Sequence, residues 1–193
     1  MDNTVGRLNQ KQKSLIYGSL LGDGYMRIME GRKDAFLEIN HSIKAKKYVD
    51  WKFNILKNIC ISPPKERNTN EGRVAYRFFT KQNSELTKIY DLFYKNKKKV
   101  IPKSLVLDPM TLAIWYMDDG SKTSKSDVYL NTQQFSMRDQ KFLLHILRKD
   151  VGVKARLNKD KKYYRIRILK ESIKTFMNFI NNEMEDSMKY KLI

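Results

Sequence analysis

The sequence predicts an α+β protein made from one unit used twice. Three observations carry this. Apolar residues switch between helical and strand spacing along the chain. The order helix, two strands, helix, strands, helix occurs twice. Each copy opens with about two apolar helical turns that end in Asp-Gly: residues 16–24 close on Asp23-Gly24, and residues 112–120 close on Asp119-Gly120.

The first copy begins with a helix over residues 11–22, whose Gly18 and Gly22 share a face and allow close helix approach. Tyr25, Met26, Ile28, Phe36, Leu37 and Ile39, interrupted by a polar segment at 30–34, read as a hairpin. Residues 43–59 return to helical spacing through Val49, Phe53, Leu56 and Cys60, and Pro63-Pro64 ends the segment. Residues 67–71 are a polar loop. The alternation at 73–78 puts Arg73 and Arg77 on one face and Val74, Tyr76 and Phe78 on the other. Leu86, Ile89, Tyr90 and Phe93 mark a helix over 82–94.

A basic run at 95–99 follows. Asp108 as cap and Pro109 at the first helical position then open the second motif helix. The second copy has a polar turn at 121–127, a strand at 128–134, a helix at 137–149 and an alternating strand at 163–168. Ile173, Phe176, Met177 and Ile180 repeat the spacing of the helix at 82–94 and define a helix over 171–181. The repeats are placed at 1–95 and 109–193, with a linker at 96–108.

Thirty-nine Lys and Arg against 21 Asp and Glu give a formal net charge of +18. This surplus favours polyanion partners. A hydrophobic fraction of 41% supports a real core. One cysteine excludes an intrachain disulfide, and one Cys with two His excludes a zinc finger. Neither a signal peptide nor a membrane-length apolar run is present. An intracellular, soluble, nucleic-acid-facing protein is expected.

The Asp-Gly ends present an electrostatic problem. Glycine is favoured past a helix end because it takes the left-handed conformation. A carboxylate there meets the negative end of the helix dipole, so a positive group is expected against Asp23 and Asp119. A divalent cation is one candidate. If the motif helices pack together, two close carboxylates repel unless metal intervenes. Mg²⁺ accepts two carboxylates plus backbone carbonyls, and it would create a phosphodiesterase centre.

Each copy also offers a sheet with one polar face. In the first, the candidates for DNA contact are Tyr25, Arg27, Arg32, Lys33, Glu38, Asn40, Arg67, Asn68, Arg73 and Arg77. In the second they are Lys122, Lys125, Tyr129, Asn131, Gln133, Lys154, Arg156, Asn158, Lys159, Lys161, Arg165 and Arg167. Such side chains read base edges or neutralise phosphates.

The motif Leu112-Ala113-Ile114-Trp115-Tyr116-Met117-Asp118-Asp119-Gly120 and its counterpart Ile16-Tyr17-Gly18-Ser19-Leu20-Leu21-Gly22-Asp23-Gly24 resemble the signature of the LAGLIDADG homing endonucleases. The chain looks like their single-chain two-repeat form, nearest the intron-encoded meganucleases of the I-SceI type. Lys98-Lys99-Val100-Ile101-Pro102, Leu130-Asn131-Thr132-Gln133 and Met188-Lys189-Tyr190-Lys191-Leu192 add to the likeness. Ile114 and Asp118 depart from it, standing where the signature has small residues.

The resemblance implies two αββαββα halves about a pseudo-twofold axis, with saddle-shaped antiparallel sheets in the DNA major groove and a central two-helix interface. It implies metal binding by Asp23 and Asp119, with backbone carbonyls from Gly22 and Asp118. Lys99 and Lys191 would lie near the scissile phosphates; the chain ends two residues after Lys191, leaving little to anchor it. The expected activity is site-specific double-strand cleavage at a long non-palindromic site, leaving short 3′ overhangs. Mg²⁺ is the expected cofactor, with Mn²⁺ substituting and Ca²⁺ supporting binding alone. The expected partner is duplex DNA, with intron RNA a second possibility, no membrane, and a monomeric chain. The setting is a bacterial or phage-infected cytoplasm or an organelle matrix such as the mitochondrion. Two competing readings share the scaffold: an intron maturase and a non-catalytic DNA-binding regulator.

Overall fold

A computed structural model describes residues 7–68, 72–124 and 127–193. The chain divides into two compact units, 1–91 and 92–193.

The first unit starts with α1 (Gln10–Leu21), opened by a reciprocal capping box between Asn9 and Gln12. Gln12 is buried, and its amide nitrogen also donates to the Ile55 carbonyl (3.2 Å) and to Asn58 (2.7 Å), fixing the start of α1. Strands β1 (Tyr25–Ile28) and β2 (Ala35–Ser42) form the hairpin. Helix α2 (Lys46–Leu56) lies between single 3₁₀ turns. Strands β3 (Lys65–Asn68) and β4 (Val74–Phe79) and helix α3 (Ser84–Phe93) follow. The sheet is antiparallel in the order β1-β2-β4-β3.

Register sorts its faces. Tyr25 opposes Glu38, Asn40 opposes Arg77, and Arg67 opposes Ala75, so these share one side. Leu37, Ile39, Tyr76 and Phe78 are buried on the other. That period-2 division lets one strand face solvent and pack a core at once.

In the second unit a short hairpin, β5 (Tyr94–Lys95) and β6 (Lys98–Lys99), precedes the motif helix. Asn96 and Lys97 both have positive φ, the backbone of a two-residue hairpin turn. The basic run is therefore ordered backbone, a fact its composition hid.

Helix α4 (Pro109–Asp119) is capped by Asp108, whose carboxylate accepts from Thr111 N. It is buried from Met110 to Met117. Strands β7 (Gly120–Ser124) and β8 (Asp127–Leu130), helix α5 (Met137–Val151), strands β9 (Ala155–Asp160) and β10 (Tyr163–Ile168), and helix α6 (Ile173–Ile180) complete the unit. Its sheet order is β7-β8-β10-β9, the counterpart of the first. Both units are thus αββαββα, as expected. Ile173, Phe176, Met177 and Ile180 are all buried, as their spacing requires.

Beyond the β5–β6 hairpin, four strands depart from the sequence reading, among them β9, since no strand was placed at 155–160. Gly120–Ser124 is strand β7, where a polar turn was expected across 121–127. The strand placed at 128–134 is Asp127–Leu130. Lys65–Asn68 forms β3 at the start of what read as loop, and residues 69–71 lie outside the described residues. Both β3 and β7 are edge strands, as is β9. Edge strands rich in charged and polar side chains lack the alternation that marks an inner strand. Among the described residues, no helix is long and apolar enough to cross a membrane.

Candidate functional site

The two Asp-Gly ends do not use left-handed glycine. Neither Gly24 nor Gly120 has a positive φ: Gly120 has φ −79°, and Gly22, which caps α1, has φ −106°. Close approach requires the motif glycines instead. A Cβ on Gly120 would lie 2.0 Å from the Tyr116 ring and 2.3 Å from the Tyr116 carbonyl oxygen. A Cβ on Gly24 would lie 2.8 Å from Ser19. Gly24 N donates to the Ser19 carbonyl (2.7 Å), wrapping the end of α1 tightly. The left-handed cap is found at Gly152, which closes α5 with φ 73°.

In the first unit, this wrap leaves the Asp23 side chain 46% exposed. His41 Nδ1, from the end of β2, lies 3.5 Å from Asp23 Oδ2. The hairpin register explains the meeting: Tyr25 pairs with Glu38, so three residues further along β2 the chain is level with the α1 end. Behind His41, Lys52 of α2 is fully buried, with Nζ 3.4 Å from His41 Nε2. The Lys52 ammonium lies 4.5 Å from the centre of the Tyr48 ring, and Tyr48 packs on both His41 and Trp51.

In the second unit, the Asp119 carbonyl accepts from Asn131 N (3.0 Å). Asp119 Oδ2 accepts from Gln134 Nε2 (3.4 Å). The positive group demanded by the helix dipole is Lys191. Its Nζ donates to the carbonyls of Met117 (2.6 Å), Gly120 (3.0 Å) and Tyr116 (3.4 Å). Tyr116 returns a bond from its hydroxyl to the Lys191 carbonyl (2.8 Å). Lys122 Nζ also donates to the Leu192 carbonyl (2.6 Å). Lys191 is therefore well anchored, contrary to expectation: the fold ties down a short tail from both ends. Burial pushes the Tyr116 phenol up to about 12.

Gly22 is buried at the end of α1, and Asp118 is half-buried in the last turn of α4. Lys99 is half-buried in β6, paired with Tyr94.

The sheet candidates fall into three groups. Tyr25, Arg27, Asn40, Arg67, Arg156 and Lys154 are exposed, as are Arg32 and Lys33 in the first hairpin turn and Arg73 ahead of β4. A second group is engaged with neighbours on the same face. Glu38 pairs with Arg77 (3.6 Å), Arg167 pairs with Asp127, and Gln133 donates to Asp160 (2.9 Å). Arg165 lies 4.0 Å over the Tyr129 ring and covers it, so Tyr129 is buried. Asn158, opposite Arg165, shares this face, and Asn131 is half-buried beyond β8.

The third group departs from the polar-face assignment. Asn68 opposes Val74, Lys122 opposes Val128, and Lys159 opposes Tyr164, so all three register with the apolar side at strand ends. Lys161 sits in the β9–β10 turn with positive φ. Lys125 lies outside the described residues.

Sequence reasoning did not single out His41, Lys52 or Gln134 as functional. The usable signal for His41 was the hairpin: centring its turn near Gly31 brings His41 level with Gly22. For a buried lysine, no local pattern gives warning.

A duplicated αββαββα chain, with a helix-end aspartate beside a basic, aromatic sheet face in each unit, defines a two-repeat α+β class. The chain belongs to the LAGLIDADG DNA endonuclease family, whose sequence model matches residues 13–176. It is 32% identical over 210 residues to the cytochrome b mRNA maturase bI2 of Saccharomyces cerevisiae, covering all of this chain and 49% of that one. It therefore spans about half the length of that relative. It is 30% identical to the probable intron-encoded endonuclease 1 of Wickerhamomyces canadensis, over 96% of this chain and 85% of that one. The solved structure of the homing endonuclease I-WcaI bound to its DNA recognition sequence superposes with a TM-score of 0.89 at 27% identity, covering 97% of this chain and 88% of that chain.

Proposed function

We propose that this chain is a divalent-metal-dependent endonuclease that binds a long, non-palindromic DNA duplex and hydrolyses one phosphodiester in each DNA strand, leaving short 3′ overhangs. The observation that carries the reading is the twofold occurrence of an aspartate at a helix end beside a basic sheet face. The likeness to I-WcaI, solved on its DNA recognition sequence, supports duplex DNA as partner.

The donors at each motif end are hard oxygens: the carboxylates of Asp23 and Asp119, with the backbone carbonyls of Gly22 and Asp118. That set suits Mg²⁺ or Mn²⁺, and Ca²⁺ would support binding without cleavage. A bound divalent ion supplies Lewis acidity, activating water and offsetting charge on the leaving oxygen.

The chain's own residues do the rest. Asp23 and Asp119 each hold the donor set of one half-site. His41 and Gln134 hold those carboxylates in orientation. Lys191 neutralises the α4 terminus, so that Asp119 can carry charge there. Lys99, in its hairpin, offsets phosphate charge. Exposed Tyr25, Arg27, Asn40, Arg67 and Arg156 read base edges or phosphates.

A selection for cut duplexes in Mg²⁺, beside the Asp23→Asn, Asp119→Asn protein, tests the reading. Enrichment of one long sequence by the wild type alone supports it. A wild type that enriches bound duplexes and cuts none in Mg²⁺ or Mn²⁺ rejects it in favour of a DNA-binding regulator.

The likeness to a cytochrome b mRNA maturase favours a second reading, in which the same scaffold assists intron splicing. Asp23→Asn separates the two, because splicing help would survive it. Both readings place the protein inside a cell, where intron DNA and RNA occur, the mitochondrion included.

A further inference from the structure

We infer that Lys52 is a positioning residue of the first half-site, acting through the His41 ring on the Asp23 carboxylate. The role follows from donor chemistry. Lysine's ammonium offers three donors and no acceptor. Its Nζ lies 3.4 Å from His41 Nε2, so Nε2 must supply the lone pair. The ring proton then belongs on Nδ1, the nitrogen 3.5 Å from Asp23 Oδ2. One buried cation thereby selects the imidazole tautomer that presents N–H to the motif carboxylate.

The surroundings are built to hold this arrangement. Lysine is almost never fully buried unless partnered. Lys52 is 0% exposed, with its ammonium over the Tyr48 ring at 4.5 Å. Tyr48 packs against the His41 ring at 5.5 Å, and Trp51 stacks on Tyr48 at 5.9 Å. His41 is thus fixed in angle by aromatic packing and in tautomer by Lys52. A lysine that orients a neighbour of the motif carboxylate would act on metal affinity and rate without touching substrate. In the second unit the amide of Gln134 contacts the Asp119 carboxylate, and an amide needs no tautomer selection.

The geometry stands without the endonuclease reading; its consequence for cutting rests on that reading. The test therefore begins with a measurement that needs no cleavage. Protein labelled with ¹⁵N-histidine is examined by long-range ¹H–¹⁵N correlation above the ordinary histidine titration range. His145, the second histidine, is assigned by His145→Gln. We expect a protonated Nδ1 and a bare Nε2 at His41 in the wild-type chain. Lys52→Met should shift His41 to the Nε2–H form or a mixture, and Lys52→Arg should restore Nδ1–H. A wild-type Nε2–H tautomer, or a tautomer unchanged in a folded Lys52→Met protein, overturns the inference.

On a cleaved duplex, Lys52→Met should slow one DNA strand by ~10-fold or more relative to the other, with recovery in Lys52→Arg. Equal slowing of both strands, unrelieved by Lys52→Arg, assigns Lys52 a merely structural role and overturns the proposal. If the wild type cuts no duplex, the endonuclease reading fails while the tautomer result stands by itself.

Discussion

The two halves share sheet order and helix count, yet they surround their aspartates differently. Asp23 faces an imidazole backed by a buried lysine. Asp119 faces a primary amide, and the lysine of that half binds helix carbonyls from the chain's last residues. The difference shows that backbone topology fixes where a motif aspartate stands, while its electrostatic support comes from whichever side chains reach that point. In the first half the support arises from β2 and α2. In the second it arises from the loop after β8 and the C-terminal turn.

The largest expected effects break the feature common to both halves. Asp23→Asn and Asp119→Asn should each reduce double-strand cleavage by at least ~10²-fold, consistent with the loss of a principal electrostatic group. Duplex binding, measured by gel shift, should persist. Binding loss matching the cleavage loss would show that these carboxylates serve the fold rather than the chemistry.

Next come the motif glycines, where the halves differ in tightness. Gly120→Ala places a Cβ 2.0 Å from Tyr116, against 2.8 Å from Ser19 for Gly24→Ala. Both should destabilise, by ~1–3 kcal/mol as overpacking typically does, with Gly120→Ala the more severe. Urea unfolding of the two variants checks the order. If Gly24→Ala proves worse, the tightness seen at Gly120 does not govern stability.

The alkaline limb should report on the second half. The Tyr116 phenol, pushed up to about 12, stays protonated in the fold while unfolded tyrosine ionises near ~10. This contribution is therefore intact below pH ~10 and lost as pH rises toward 12, by ~2–3 kcal/mol. Urea midpoints across that range should fall in the wild type and fall less in Tyr116→Phe.

A smaller effect is expected from Lys191→Met, which removes the cation from the α4 carbonyls. A loss of ~1–3 kcal/mol is expected for hydrogen bonds to a charged group. Thermal melts check it. Lys52→Met has no counterpart of this kind, because it acts on a histidine ring rather than a helix end.

Much of this was legible in the sequence where the physics is local. Spacing alone located α6, since Ile173, Phe176, Met177 and Ile180 are the residues it buries. Asp108-Pro109 marked the start of α4. The duplicated Asp-Gly pairs marked the ends of α1 and α4. Edge strands β3 and β9 escaped because their charged and polar residues carry no alternation, and β7 because Gly-Ser-Lys-Thr-Ser reads as a turn. Motif glycine chemistry was misread: Gly120 answers to the Tyr116 ring, a contact four residues back that a handedness rule does not consider. Lys191 was undervalued because its anchor is Tyr116, 75 residues away. His41 and Lys52 became visible only when strand register and helix placement were known together.

On the proposed reading, the duplicated aspartates make this fold a cutter of duplex DNA. The most direct test is a cleavage selection on a large duplex library in Mg²⁺ and in Ca²⁺, with the Asp23→Asn, Asp119→Asn protein alongside. We expect one long sequence enriched as cut product by the wild type in Mg²⁺, and the same sequence bound but uncut in Ca²⁺ and by the variant. Equal cutting by wild type and variant, or a preferred duplex bound and never cut by the wild type, would contradict it.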